Sequence, residues 1–112
     1  MKYKCRVMTW GYYAPDVEVE VDTKLKSMPY AQCGVRFDAH GGIEFISYNT
    51  SVITIDPMGW LTCTGTYSQT TRKQIGRFLS EYTANITYQD AKRCYELNKT
   101  INIYTREEAD LP

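Results

Sequence analysis

An α+β domain, with an antiparallel sheet of about four to six strands and two C-terminal helices packed on one of its faces, is the fold class this sequence predicts. Three observations carry it. Residues 16–22 alternate strictly, with Val17, Val19 and Val21 on one side and Asp16, Glu18, Glu20 and Asp22 on the other, as in a half-buried strand. Asp56-Pro57-Met58-Gly59 puts Asp, Pro and Gly where a type I turn favours them, between two short β-rich segments. Beyond Gly65 the apolar period lengthens from two to about 3.6, the helical repeat. The 112 residues fit one domain, 1–112, with no repeat or linker to divide them.

Each element arises from local chemistry. Tyr3 to Trp10 has the β-branched and aromatic content of a first strand, and Gly11-Tyr12-Tyr13-Ala14-Pro15 would connect it to the alternating one. Lys24 to Pro29 loses all periodicity and reads as a loop. Val35-Arg36-Phe37 and Ile43 to Tyr48 flank the glycine-permitted turn Asp38-Ala39-His40-Gly41-Gly42, which makes a hairpin. A second hairpin joins Ser51–Ile55 to Trp60–Thr64, with Leu61 and Cys63 facing one way and Trp60, Thr62 and Thr64 the other.

The first helix is expected over about Ser68 to Thr83, with Thr71, Ile75, Phe78, Leu79 and Tyr82 on one stripe and Arg72, Lys73, Arg77 and Glu81 largely off it. Thr87 can cap a second over about 88–98, with Tyr88, Ala91, Cys94 and Tyr95 inside and Gln89, Lys92, Arg93 and Glu96 wet. Residues 100–105 could form a last strand, and Arg106 to Pro112 reads as a frayed tail. The expected core draws on Val17, Val19, Val21, Ile55, Leu61, Ile75, Phe78, Leu79, Ala91 and Tyr95.

Thirteen basic and thirteen acidic side chains cancel, so no whole-protein field pulls the chain onto a polyanion or a membrane. Any such binding must be local. No apolar run could span a bilayer, and none succeeds the basic N-terminal residues, so the expectation is a soluble intracellular protein with no membrane partner. Cys5, Cys33, Cys63 and Cys94 lie too far apart for the short spacing that grips zinc, and read as reduced, mostly buried thiols. A Cys33–His40 pair is conceivable as nucleophile and base, but no hydrolase signature surrounds it, and a turn histidine facing water is the simpler reading. The evenly spaced carboxylates of residues 16–22 suit a solvated face better than an acid–base pair. The sequence therefore points to no catalytic residue, metal or cofactor.

Two surfaces remain. Ten tyrosines and two tryptophans exceed the needs of an ordinary core, so Tyr12 and Tyr13, with the acidic edge Asp16, Glu18, Glu20 and Asp22, are candidate protein contacts. The other lies where a strand hands over to a helix. Six of the ten residues 62–71 are Ser or Thr, and Ser68, Thr70, Arg72, Lys73 and Arg77 are candidate contacts to an anion or a nucleic-acid backbone, with Lys92 and Arg93 extending the patch if both helices share a surface. Capping by Ser68 or Thr66, with Thr66 and Gln69 matching a capping box, explains the same residues structurally and is favoured.

Ser47-Tyr48-Asn49-Thr50, then Ile55-Asp56 to Gly59-Trp60-Leu61-Thr62-Cys63-Thr64-Gly65-Thr66-Tyr67-Ser68, and Thr70-Thr71-Arg72 with Ile75, Phe78 and Glu81-Tyr82 resemble a family of small bacteriophage and prophage proteins of gut bacteria. Tyr88, Ala91-Lys92 and Cys94-Tyr95-Glu96 continue the likeness, which covers about the C-terminal two-thirds of the chain. The resemblance brings a context but no catalytic residue. It implies a protein made in the cytoplasm of an infected bacterium, where small domains without enzyme motifs often act as host-takeover or anti-defence binders, anti-CRISPR proteins among them. The function expected is thus contact with a bacterial host protein, and the alternative is a small nucleic-acid-binding accessory role.

Overall fold

Alternation, turn chemistry and capping produce twelve elements in the computed structural model, which describes residues 2–5, 8–9, 12–13, 17–48, 50–65 and 68–112. In chain order these are β1 (Lys2–Cys5), β2 (Met8–Thr9), β3 (Tyr12–Tyr13), β4 (Val17–Glu20), β5 (Cys33–Phe37), β6 (Ile43–Ser47), β7 (Thr50–Ile55), β8 (Trp60–Cys63), α1 (Gln69–Tyr82), α2 (Tyr88–Glu96), β9 (Lys99–Asn102) and β10 (Glu108–Asp110). A six-stranded antiparallel sheet, ordered β10-β9-β8-β7-β6-β5, is the frame. Both helices are inserted between β8 and β9, which are themselves neighbours. The class is α+β.

Both central hairpins are closed by an aspartate that accepts from the chain ahead of it. Asp38 Oδ1 takes the N–H groups of His40 and Gly42, each at 2.8 Å, and Asp56 Oδ1 takes those of Met58 and Trp60, each at 2.9 Å. Gly59 completes the second turn at φ +93°, a region open to glycine at no steric cost. Between β6 and β7 the register slips: Phe45 faces Ile53 while Ile46 faces Ser51, leaving Val52 as the extra residue of a bulge.

The helices cover one face of the sheet. Cys33, Val35, Phe45, Ile53, Ile55, Leu61, Cys63 and Ile101 meet Ile75, Phe78, Leu79, Ala91 and Cys94 there in one buried cluster. Phe45 stacks on Phe78 with ring centroids 4.7 Å apart, and Phe78 on Tyr82 at 5.0 Å. Helix periodicity missed one buried polar group, Gln74, whose Oε1 accepts from the Ser47 hydroxyl beside Thr71. Such a network is tolerated because its buried polar atoms are paired.

Four expectations need correction. Tyr3 to Trp10 contributes two strands where one is expected, β1, which pairs with β4, and β2, which pairs with β3 inside the expected connection. Tyr95 is 42% exposed, because the inner side of α2 is taken by Asp90, Ala91 and Cys94. The last strand stops at Asn102, where the chain turns. The expected tail instead returns as β10 along β9, Glu108 opposite Ile101 and Asp110 opposite Lys99. Asn102 makes that turn: its Oδ1 accepts from Tyr104 and Thr105, its Nδ2 donates to the Met58 carbonyl, and Arg106 takes φ +64°. Of the expected core, the side chains of Val17 and Val19 lie outside the described ones, and the remainder apart from Tyr95 are buried.

Candidate functional site

The acidic edge is only partly in view. Glu20 is exposed, while Asp22 spends its carboxylate on the chain, Oδ2 accepting the Phe37 N–H at 2.7 Å. Asp16 and the side chains of Glu18, Tyr12 and Tyr13 lie outside the described residues. Around Asp22 the neighbouring residues have structural tasks. Thr23 bridges to Val35 at the edge of β5, and Val21 packs on Ile46 so closely over Gly34 that a Cβ there would lie 2.7 Å from Val21 Cγ2. An edge that would otherwise offer unpaired groups is thereby covered.

At the strand-to-helix corner Ser68 is the cap, its hydroxyl accepting the Thr71 N–H at 3.4 Å, and Thr66 lies outside the described residues. Thr70, Arg72, Lys73 and Arg77 are all exposed on α1. The one acid of this helix, Glu81, is turned the other way: its carboxylate accepts the N–H groups of Lys26 and Ser27 at 2.8 and 3.1 Å and the Ser27 hydroxyl at 2.6 Å. Burial pushes the Glu81 carboxyl up, but these donors and Lys26 outweigh it and hold it below its ordinary value. The cations of α2 are matched by acids. Arg93 pairs with Glu108 at 2.9 Å and Asp90 at 3.6 Å, and Lys92 sits 3.9 Å from Glu96. The cationic surface is therefore α1, without the α2 extension.

The face of the sheet turned away from the helices carries a feature that motif reading passed over. Register places Arg36, Glu44, Thr54, Thr62, Thr100 and Ala109 in one row across all six strands. Arg36 and Glu44 form an ion pair, and Thr62 donates to Thr100 at 3.4 Å. Trp60 stands one position along from this row, half-buried, and the row and the two aspartate turns line a shallow concavity of about 700 Å³. Beside it Met58 and Tyr104 are 74% and 76% exposed, the Tyr104 ring lying over Gly59. The outward alternation of Trp60 and Thr62 was legible. That three threonines on three strands would align was not, because it depends on pairing between residues 38 apart.

The remaining chemistry is dispersed. Cys33 is fully buried at the start of β5, and His40 is exposed in the turn beyond its far end, on the order of 15 Å away along an extended strand. They are not brought together. Cys63 and Cys94 are buried as well. Among the described residues no three His, Cys, Asp or Glu side chains are grouped as a metal ion would need, and no helix is long and apolar enough to cross a membrane.

An antiparallel sheet with two helices packed on one side defines a small α+β domain. The chain belongs to DUF8033, a family of unknown function, whose profile matches residues 21–93. That stretch runs from the segment covering the β5 edge to the middle of α2, and includes the Trp60 strand and all of α1. No curated protein and no solved structure matches the chain.

Proposed function

We propose that this protein is a non-enzymatic binding module of a bacteriophage or prophage, which blocks or redirects a bacterial host protein by direct contact in a host-takeover or anti-defence role of the anti-CRISPR kind. The observation that carries the reading is the aromatic and methionine corner on the sheet face turned away from the helices, Trp60 flanked by the exposed Met58 and Tyr104. Aromatic residues and methionine are enriched where proteins meet, and a few such side chains supply most of the binding energy. A row of short polar side chains beside them leaves room for a partner to approach the sheet. The phage context comes from the likeness of the C-terminal two-thirds, and contact with a cytoplasmic host protein is drawn from that context.

Capture from bacterial cells with tagged wild type and a Met58→Ala/Tyr104→Ala variant, each with and without nuclease, tests this. Both side chains are exposed, so folding stability should stay within about 0.5 kcal/mol of wild type. A partner protein that survives nuclease and is lost from the variant is the expected result. Retention of the same partner by the variant, or its loss on nuclease treatment, would count against the reading.

A further inference from the structure

On the opposite side of the molecule the outer face of α1 combines charge with an unexplained glycine. At 3.6 residues per turn Lys73, Gly76 and Ser80 fall along the line farthest from the core, with Arg72 on one flank and Thr70 and Arg77 on the other. Among the described residues the first turn of α1 has no acid, and Glu81, one turn beyond Arg77 on that flank, has its carboxylate held by residues 26 and 27. Gly76 sits mid-helix, where glycine is the least favourable residue after proline. Among the described residues nothing lies within 4 Å of where its Cβ would be, so their packing does not account for it.

We infer that α1 is a docking face for the phosphate backbone of double-stranded DNA, with Lys73 and Arg77 as the phosphate contacts and Gly76 as the point of closest approach. Composition decides between partners. Arg is common where proteins meet but Lys and Ser are depleted there, and this face has no apolar side chain to drive such a contact. Arg, Lys and hydroxyl groups are what phosphate oxygens receive. Among the described residues the face has no aromatic ring on which the bases of a single strand could stack. A convex helix with cations on both flanks fits the major groove of B-form DNA, which admits a helix, whereas that of A-form RNA is too narrow. This surface is separate from the sheet face turned away from the helices and stands or falls independently of it.

Fluorescence anisotropy with a 20-base-pair DNA duplex, over salt from about 25 to 200 mM, tests it. Two phosphate contacts predict a slope of about −2 in log K against log salt, and Lys73→Ala/Arg77→Ala should bring it close to zero and weaken binding tenfold or more at low salt. Gly76→Leu should raise the melting temperature, since leucine is the better helix former, and yet weaken binding at least fivefold. Absence of binding at the lowest salt, a slope unchanged in the double variant, wild-type affinity in Gly76→Leu, or tighter binding to the single strand or to duplex RNA would each overturn the assignment.

Discussion

At the scale of single residues, burial decides which groups are available for chemistry. Cys33, Cys63 and Cys94 are 0%, 4% and 0% exposed. Burial pushes the Cys63 thiol up in spite of a backbone hydrogen bond at Gly65, and burial together with the Glu108 carboxylate pushes Cys94 up even with Arg93 beside it. Thiolate is the reactive form, so both effects make these sulfurs inert. Iodoacetamide at about pH 8 should leave all three unmodified in the native protein and reach them only through unfolding, so protection should vanish in denaturant. Rapid native labelling of Cys33 would show that β5 opens on its own. It would also revive the nucleophile that its separation from His40 argues against.

At the scale of elements, the two helices were legible because each start is written locally, and their caps differ in quality. Thr87 and Asp90 close a full capping box: Thr87 Oγ1 accepts the Asp90 N–H at 3.3 Å and Asp90 Oδ2 accepts the Thr87 N–H at 2.9 Å. Ser68 makes one long bond. Thr87→Ala should therefore cost about 1–2 kcal/mol in chemical denaturation and Ser68→Ala about 0.5–1 kcal/mol. The reverse order would mean that the Ser68 corner holds more than its cap. The hairpin turns at Asp38 and Asp56 were equally plain, since a side chain that bonds two residues ahead is a property of the sequence. By contrast β10 was hidden: Glu107-Glu108-Ala109-Asp110 has neither β-branching nor an alternating apolar face. It pairs because Asn102 folds the chain back and because Glu108 finds Arg93, contacts that no periodicity encodes. The same holds for the candidate surfaces. The α1 cations could be read as off the apolar stripe, whereas the neutralisation of Lys92 and Arg93, and the threonine row, required tertiary pairing.

At the scale of the whole molecule, carboxylates tie the sheet's last hairpin and the early loop onto the helices, and this sets how the protein responds to acid. Asp90 accepts from Thr87, pairs with Arg93 at 3.6 Å and with Arg106 at 3.3 Å, while Arg106 also donates to the Asn85 carbonyl, so α2, the loop before it and the β9–β10 turn meet at one carboxylate. Burial alone would raise the Asp90 carboxyl, but the Thr87 N–H and hydroxyl with Arg106 and Arg93 outweigh it and hold it below its ordinary value. Glu44 behaves likewise, burial being outweighed by Ser51 and Arg36, and so does Glu81. A carboxyl whose folded value is depressed contributes in full above its unfolded value, about 4, and loses that contribution as pH falls through the folded value. The melting temperature should hold steady from about pH 7 to 5 and then fall steeply below about pH 4. Asp90→Asn should cost roughly 1–3 kcal/mol near pH 7, where the ionised aspartate is fully bonded. The gap between wild type and Asp90→Asn should then narrow toward about pH 2–3, because the wild-type group must by then take up the proton whose absence made it useful. Thermal denaturation of the two proteins across this range distinguishes the outcomes: converging curves place the tie between α2 and the last hairpin at the Asp90 charge, and parallel curves would assign it to neutral hydrogen bonds and packing alone.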